Sequence, residues 1–253
     1  MKKLKEIALK HNVEYIACLP FKEREGFSSV VIAIIPYYAG NADSLLSKYT
    51  RGKDYHKEGR RILDKIMEEW GEVDYEILID VSPYNEKELA YKAGLGKKGK
   101  NGLIINEKYG SYIFIATAFI KKEISFSYEI KGECLNCRKC IEVCPTKAIT
   151  DNGVDYTKCL SHITQKRQIT KEEENMIRKG NKIWGCDACQ DCCPMNLNVP
   201  LTPFNVFKDN LLLEINDIDL LSQKEFKRKY NEYALSYKGK NILKRNIKIV
   251  KNT

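Results

Sequence analysis

Ten cysteines stand among the 253 residues, and nine of them fall between positions 130 and 200. Thiolates ligate soft and borderline metals, and their spacing indicates which kind of centre they suit. Cys134, Cys137, Cys140 and Cys144 follow one another as C-x2-C-x2-C-x3-C, with Pro145 next. Cys186, Cys189 and Cys193 repeat the close spacing and again end before a proline, Pro194, while Cys159 lies between the groups. Pairs of C-x2-C can build a four-cysteine zinc site. Four thiolates within eleven residues suit the corners of an iron–sulfur cube better than one tetrahedral ion, so the run reads as a [4Fe–4S] ligand set.

The first run has the spacing of bacterial ferredoxins, in which the fourth cysteine ligates the other cluster. That crossing gives one cluster Cys134, Cys137, Cys140 and Cys193, and the other Cys144, Cys159, Cys186 and Cys189. Cys192 offers a second register; Cys193 is preferred because it precedes a proline as Cys144 does. Cys18 lies in an apolar stretch and reads as an inert core thiol. The opening MKKLKEIALKH is basic but has no apolar signal segment, and no apolar run approaches the roughly 20 residues of a membrane helix. The expected setting is therefore cytoplasmic, with no membrane partner, where thiols stay reduced and metal ligation outranks disulfides.

A cluster-carrying segment alone could be an electron carrier, but about 130 residues precede it. The composition, 43% hydrophobic and 30% charged, is that of a globular chain. Residues 1–129 read as mixed α/β. Helices are expected over Met1–His11, Asp54–Trp70 and Asn85–Ala93, with Ile62, Leu63, Ile66, Met67 and Trp70 at helical spacing and Gly71 as a stop. Strands are expected over Val13–Leu19, Ser28–Pro36 and Tyr75–Asp80, and Gly102–Asn106 with Ser111–Ile120 as a pair turning at Tyr109–Gly110. Residues 130–200 form the ferredoxin-like segment, and 201–253 a helical, basic extension. The net charge of +9 permits an acidic partner such as nucleic acid without requiring one.

Two features of the first part invite chemistry. Asp80 ends an expected strand before a proline-containing turn. Buried there, its carboxyl would be raised and could serve as a general acid; the alternative is a helix cap. Gly94–Asn101, GLGKKGKN, approaches the phosphate-loop pattern. It has Asn101 where that motif needs a hydroxyl, and it precedes a strand rather than a helix. A glycine loop with Lys97, Lys98 and Lys100 could still hold an anion, or be a solvated basic turn.

Five stretches together resemble the epoxyqueuosine reductases. They are RGKDYH (Arg51–His56), Ile79–Asn101, GSYIFIATAF (Gly110–Phe119), the cysteine segment with CLSHITQKR (Cys159–Arg167) and GCDACQDCCPMN (Gly185–Asn196), and FKRKYNEYALSYKGKNILKRN (Phe226–Asn246). The resemblance implies an α+β protein, a nitroreductase-like cobalamin-binding domain followed by a ferredoxin-like two-cluster domain. It implies reduction of epoxyqueuosine to queuosine in tRNA, with Asp80 as proton donor. Tyr55, His56, Lys100, Asn101, Ser111, Ser161 and His162 fall on family positions near cobalamin. It also implies an electron donor such as ferredoxin or flavodoxin. Longer members carry a C-terminal helical-repeat domain; the resemblance here is to a short form without it, for which Lys238, Lys240, Lys244, Arg245, Lys248 and Lys251 are the expected candidate phosphate contacts. A related cobalamin-dependent reductase of a small molecule or nucleoside, and a ferredoxin-like carrier, are the alternative readings.

Overall fold

The computed structural model describes residues 2–71, 74–130, 132–208, 218 and 220–251. Met1, in the first expected helix, and residues 209–217, 219, 252 and 253, in the expected extension, lie outside them. Helix α1 (Lys2–Lys10) buries Leu4, Ile7 and Ala8, the apolar stripe expected of it. Strands β1 (Ile16–Pro20) and β2 (Ser29–Pro36) follow; β2 is buried along its whole length, as its unbroken apolar run requires. Helix α2 (Tyr55–Trp70) is capped by Asp54, whose carboxylate accepts the His56 N–H, and stops at Gly71, whose φ of 85° is easily reached only by glycine. Then come β3 (Tyr75–Leu78), α3 (Glu86–Lys92), β4 (Lys97–Lys98), β5 (Ile104–Ile105) and β6 (Ile113–Ile120).

Four of these strands make one antiparallel sheet in the order β1-β2-β6-β3. Helix α2 packs on β3 and β6, α1 packs on α2, and α3 packs against β6. The expected hairpin between 102–106 and 111–120 does not form. Residues 104–105 pair with Lys97–Lys98, and a single bridge joins Asn106 to Gly110. The reason is that β6 has both edges occupied, by β2 and β3, so no edge remains for its sequence neighbour. Tyr75–Leu78 also ends sooner than expected. Asp80 lies beyond the strand with φ of 56°, left-handed backbone that Asp tolerates better than most residues.

The sulfur-bearing half is made of short pieces: α4 (Lys139–Glu142), β7 (Ile149–Thr150), β8 (Gly153–Val154), α5 (Leu160–Ile163), α6 (Lys171–Gly180) and α7 (Ala188–Asp191). Little apolar side chain is available inside it, so its loops are held from outside. The C-terminal helices α8 (Gln223–Tyr230) and α9 (Lys240–Lys251) supply that support. Phe226, Tyr230, Leu243 and Ile247 form a core with Leu46, Ile183 and Trp184, and Ile249 packs with Leu160, Ile163 and Ile177.

Two residues of the closing KRN are therefore structural. Asn246, fully buried, donates to the carbonyls of Thr164 (2.7 Å) and Ile183 (2.8 Å). Arg245 was expected to offer its charge to phosphates; instead its guanidinium donates to the carbonyls of Lys166 and Arg167 (2.9 and 3.0 Å), which end the α5 turn. Asn246→Ala leaves two buried carbonyls without donors. It is expected to cost about 1–3 kcal/mol, read as a lower denaturant midpoint for the cluster-loaded protein.

Candidate active site and cluster pocket

Asp54 does two jobs at the start of α2. Besides the helix N–H (3.0 Å), its carboxylate binds His56 Nδ1 at 2.8 Å. Burial alone would push the Asp54 carboxyl up, but these two bonds from His56 outweigh it and hold Asp54 below the usual range. The His56 ring is thereby oriented, with Nε2 left 3.9 Å from Asp80 Oδ2. Tyr55 is stacked between His56 (centroids 4.0 Å apart) and Phe114 of β6 (4.2 Å, interplanar angle 7°). Its hydroxyl donates to Asp80 Oδ2 at 2.5 Å. Burial first, and then the Asp80 charge, push the Tyr55 phenol far above its ordinary value, so it remains an O–H donor.

Tyr55, His56 and Asp80 thus converge. The Asp80 side chain is 66% exposed, contrary to the buried carboxyl expected from sequence. The left-handed turn at Asp80 points its carboxylate out of the sheet. The more shielded acid of this site is a neighbour that sequence reasoning did not single out, half-buried Glu86, in the first turn of α3. Both its oxygens accept the Asp80 N–H, at 3.0 and 3.1 Å, and burial, with Asp80 nearby, pushes its carboxyl up to about 8. Its placement six residues past Asp80, just after the Asn85 cap, was the available signal.

Tyr49 was also missed. Its ring lies edge-on to Tyr55 at 6.2 Å, and its hydroxyl accepts from Gln165, which in turn donates to the Ser161 carbonyl. It joins the Tyr55 side of the site to the α5 turn, where Ser161 is half-buried and His162 exposed.

The remaining expected cofactor contacts lie elsewhere. Lys100 and Asn101 line a pocket with Cys134, Cys137, Cys140 and Cys193, together with Arg138 and Met195. Lys100 pairs with Asp151 (3.1 Å) and Lys98 with Glu88 (2.6 Å), so two of the three loop lysines are engaged by carboxylates. Ser111 is buried: Asn196 and Gln190 donate to its hydroxyl at 2.9 and 3.1 Å, and its own N–H donates to Asn196 (2.8 Å). Gln190 further donates to Tyr37 (3.1 Å). This network ties the α/β domain to the cysteine loops.

The cysteines fall into two adjoining neighbourhoods that share Cys140. The pocket gathers Cys134, Cys137, Cys140 and Cys193, with Cys192 outside its lining. Cys144 packs with Ala148 and Ile149, and Cys140, Cys159 and Cys189 pack on them, so Cys140 touches both groups. The Cys186 thiol is pushed up to about 11 by burial, and further by Asp187 and Cys159. Burial would also raise Cys144, but N–H groups of Thr146, Ile149 and Ala148 point at its sulfur, the last at 3.2 Å, and hold it below its ordinary value. N–H donors converging on a thiolate suit a cluster ligand. Two sets of soft donors, each on tight turns, fit two cubes. Asp187 anchors the second set: Ser47 Oγ and Lys48 N donate to its two oxygens at 2.5 and 2.9 Å.

Residues 133–196 match the family described as the 4Fe-4S double cluster binding domain. Fold and site together define a two-cluster iron–sulfur protein whose sulfur-bearing loops are clamped onto a domain carrying an aromatic, carboxylate-tipped site. An epoxyqueuosine reductase from Leadbetterella byssophila is 37% identical over 243 residues, covering 92% of this chain and 80% of its own. A crystal structure of epoxyqueuosine reductase with an epoxyqueuosine-modified tRNA-Tyr stem loop matches with a TM-score of 0.86 at 21% identity, over 98% of this chain and 80% of that one. A reductive dehalogenase structure, described in terms of B12-dependent dehalogenation, matches at 0.54 and 17% identity over 96% of this chain and 37% of that one, a likeness of fold. The chain belongs to the epoxyqueuosine reductase family.

Two outcomes are expected. Cys193→Ser loses about half of the bound iron, whereas Cys192→Ser keeps it all; iron and sulfide analysis checks this, and the reverse pattern would move the ligand to Cys192. Second, the folded chain keeps the Glu86 proton to about pH 8, whereas an ordinary Glu releases it near 4.5. Folding takes up a proton across that window, so stability falls as pH rises through it. Denaturant titrations of Glu86→Gln should show a shallower slope between these pH values.

Proposed function

We propose that this chain reduces epoxyqueuosine to queuosine in tRNA, with two [4Fe–4S] clusters and cobalamin as its cofactors. The convergence of Tyr55, His56 and Asp80 beside the α5 turn carries this reading. Cys134, Cys137, Cys140 and Cys193 would hold one cluster, and Cys144, Cys159, Cys186 and Cys189 the other. Tyr55, His56, Ser161 and His162 would line the cobalamin site on a nitroreductase-like domain, an assignment supported by the polar groups left half-buried or exposed on either side of Tyr49. When bound, the clusters supply single electrons and cobalamin a reduced cobalt for removing the epoxide oxygen.

The chain's own residues supply position and protons. Deoxygenating the epoxide consumes two electrons and two protons and releases water, and charge builds on the departing oxygen as the ring opens. Asp80, exposed at the tip of the site, would give a proton there, a role that its exposure supports. Tyr55 cannot compete for that proton at neutral pH, because its own phenol stays protonated; it holds Asp80 Oδ2 instead. His56, locked by Asp54, presents Nε2 on the same side and can return a proton to Asp80.

Lys100 and Asn101 serve the cluster pocket, and Ser111 the clamp between domains. A tRNA partner is supported by the stem-loop complex of the related enzyme, and the exposed Lys238, Lys248 and Lys251 offer phosphate contacts. No helix among the described residues is long and apolar enough to cross a membrane. We place the protein in the cytoplasm, served by a ferredoxin or flavodoxin.

The test is anaerobic reconstitution with iron, sulfide and cobalamin, reaction with epoxyqueuosine-bearing tRNA, and mass spectrometry of the nucleosides. Loss of one oxygen, dependent on reductant and cobalamin, is expected. Conversion of the free nucleoside but not the tRNA would replace the substrate. Asp80→Asn should keep both clusters and bind cobalamin while turnover drops by about 10²–10⁴-fold; full activity in that variant would remove Asp80 from the mechanism.

A further inference from the structure

We propose that Glu86 is a positioning residue: it latches the Asp80 turn so that the carboxylate stays at the tip of the site. The inference rests on the reading of Asp80 as proton donor. The turn has little else to hold it. Asp80 is mostly exposed, and Val81 beside it is 66% exposed, so packing does not fix the pair. The backbone at Asp80 is left-handed, with φ of 56°, a conformation that costs a non-glycine residue and persists only where neighbours impose it.

Two bonds impose it here. At one end Tyr55, immobilised by its stack on Phe114, donates to the carboxylate. At the other, both Glu86 oxygens share the Asp80 N–H. Glu86 is not needed where it stands for capping α3, because Asn85 already accepts the Glu88 N–H at 3.1 Å. Instead it reaches back across the turn. Helix α3 is itself docked on β6, so the latch refers Asp80 to the sheet that also carries Phe114. Ile79 before the turn is in the core and Tyr84 after it packs on Phe21 and Phe119, so removing the Glu86 acceptor loosens the Asp80–Val81 tip between these two fixed points.

The test uses the reconstituted full chain with two readouts: kcat and KM on an epoxyqueuosine-bearing tRNA stem loop, and deuterium uptake of a peptide spanning residues 79–85. Glu86→Ala is expected to lower kcat by roughly 10²-fold, the cost of a small misplacement of a reacting group, with KM unchanged and uptake raised. Glu86→Gln keeps an acceptor oxygen and is expected to restore both. The proposal is overturned if Glu86→Ala leaves either kcat or uptake at the wild-type value, or if Glu86→Gln is as impaired as Glu86→Ala. Should the wild-type chain fail to convert the stem loop, the substrate reading falls while the uptake comparison still decides whether Glu86 holds the turn.

Discussion

The buried contact among Tyr37, Ser111, Gln190 and Asn196 is the constraint on which the two halves of this molecule depend. Each half contributes polar groups that would be costly to bury alone. Together they satisfy one another, and a misdocked arrangement would leave several of them unpaired. The fit is close at Gly110, where any side chain would collide with Asn196. Asn196 follows the cluster-domain residue Cys193 by three positions, and Gln190 follows Cys189 directly. The clamp therefore fixes the cysteine turns themselves, not only the domain that carries them.

That rigidity matters because the sulfur-bearing loops have little core of their own. Their support comes from β6 and its neighbours on one side and from α9 on the other. Asn246 and Arg245 occupy carbonyls around the α5 turn, and Asp187 is gripped by the Ser47–Lys48 turn. The same Ser47–Lys48 segment leads through Tyr49 to Tyr55. The cluster loops and the Tyr55, His56 and Asp80 group are thus referred to a common frame.

Electrostatics separates the roles of the acids. Asp54, bonded twice by His56, is kept ionised and acts as a fixed anchor. Glu86, half-buried beside the Asp80 charge, is pushed the other way, chiefly by that burial. Asp80 stands exposed between them. Three carboxyls within a short reach of one another therefore serve as an anchor, a latch and a tip, set apart by burial and partners rather than by residue type.

Local patterns in the sequence were enough for the elements and the metal chemistry. The unbroken run of β2, the stripe of α2 with its Asp54 cap and Gly71 stop, and the C-x2-C spacings are short-range signals, and short-range physics decides them. What sequence could not reveal was every outcome set by long-range competition. Strand β6 paired with β2 and β3 because both of its edges were claimed in space, so the sequence-local hairpin lost. Asp80 meets Tyr55, which is brought to it from the start of another element, α2. Arg245 and Ser111 bear functional-looking side chains, yet Arg245 Nη1 bonds the Lys166 and Arg167 carbonyls and the Ser111 hydroxyl accepts from Gln190 and Asn196. Residue type and spacing name the chemistry available; which groups remain free to perform it is settled only when the tertiary fold has taken the partners it needs.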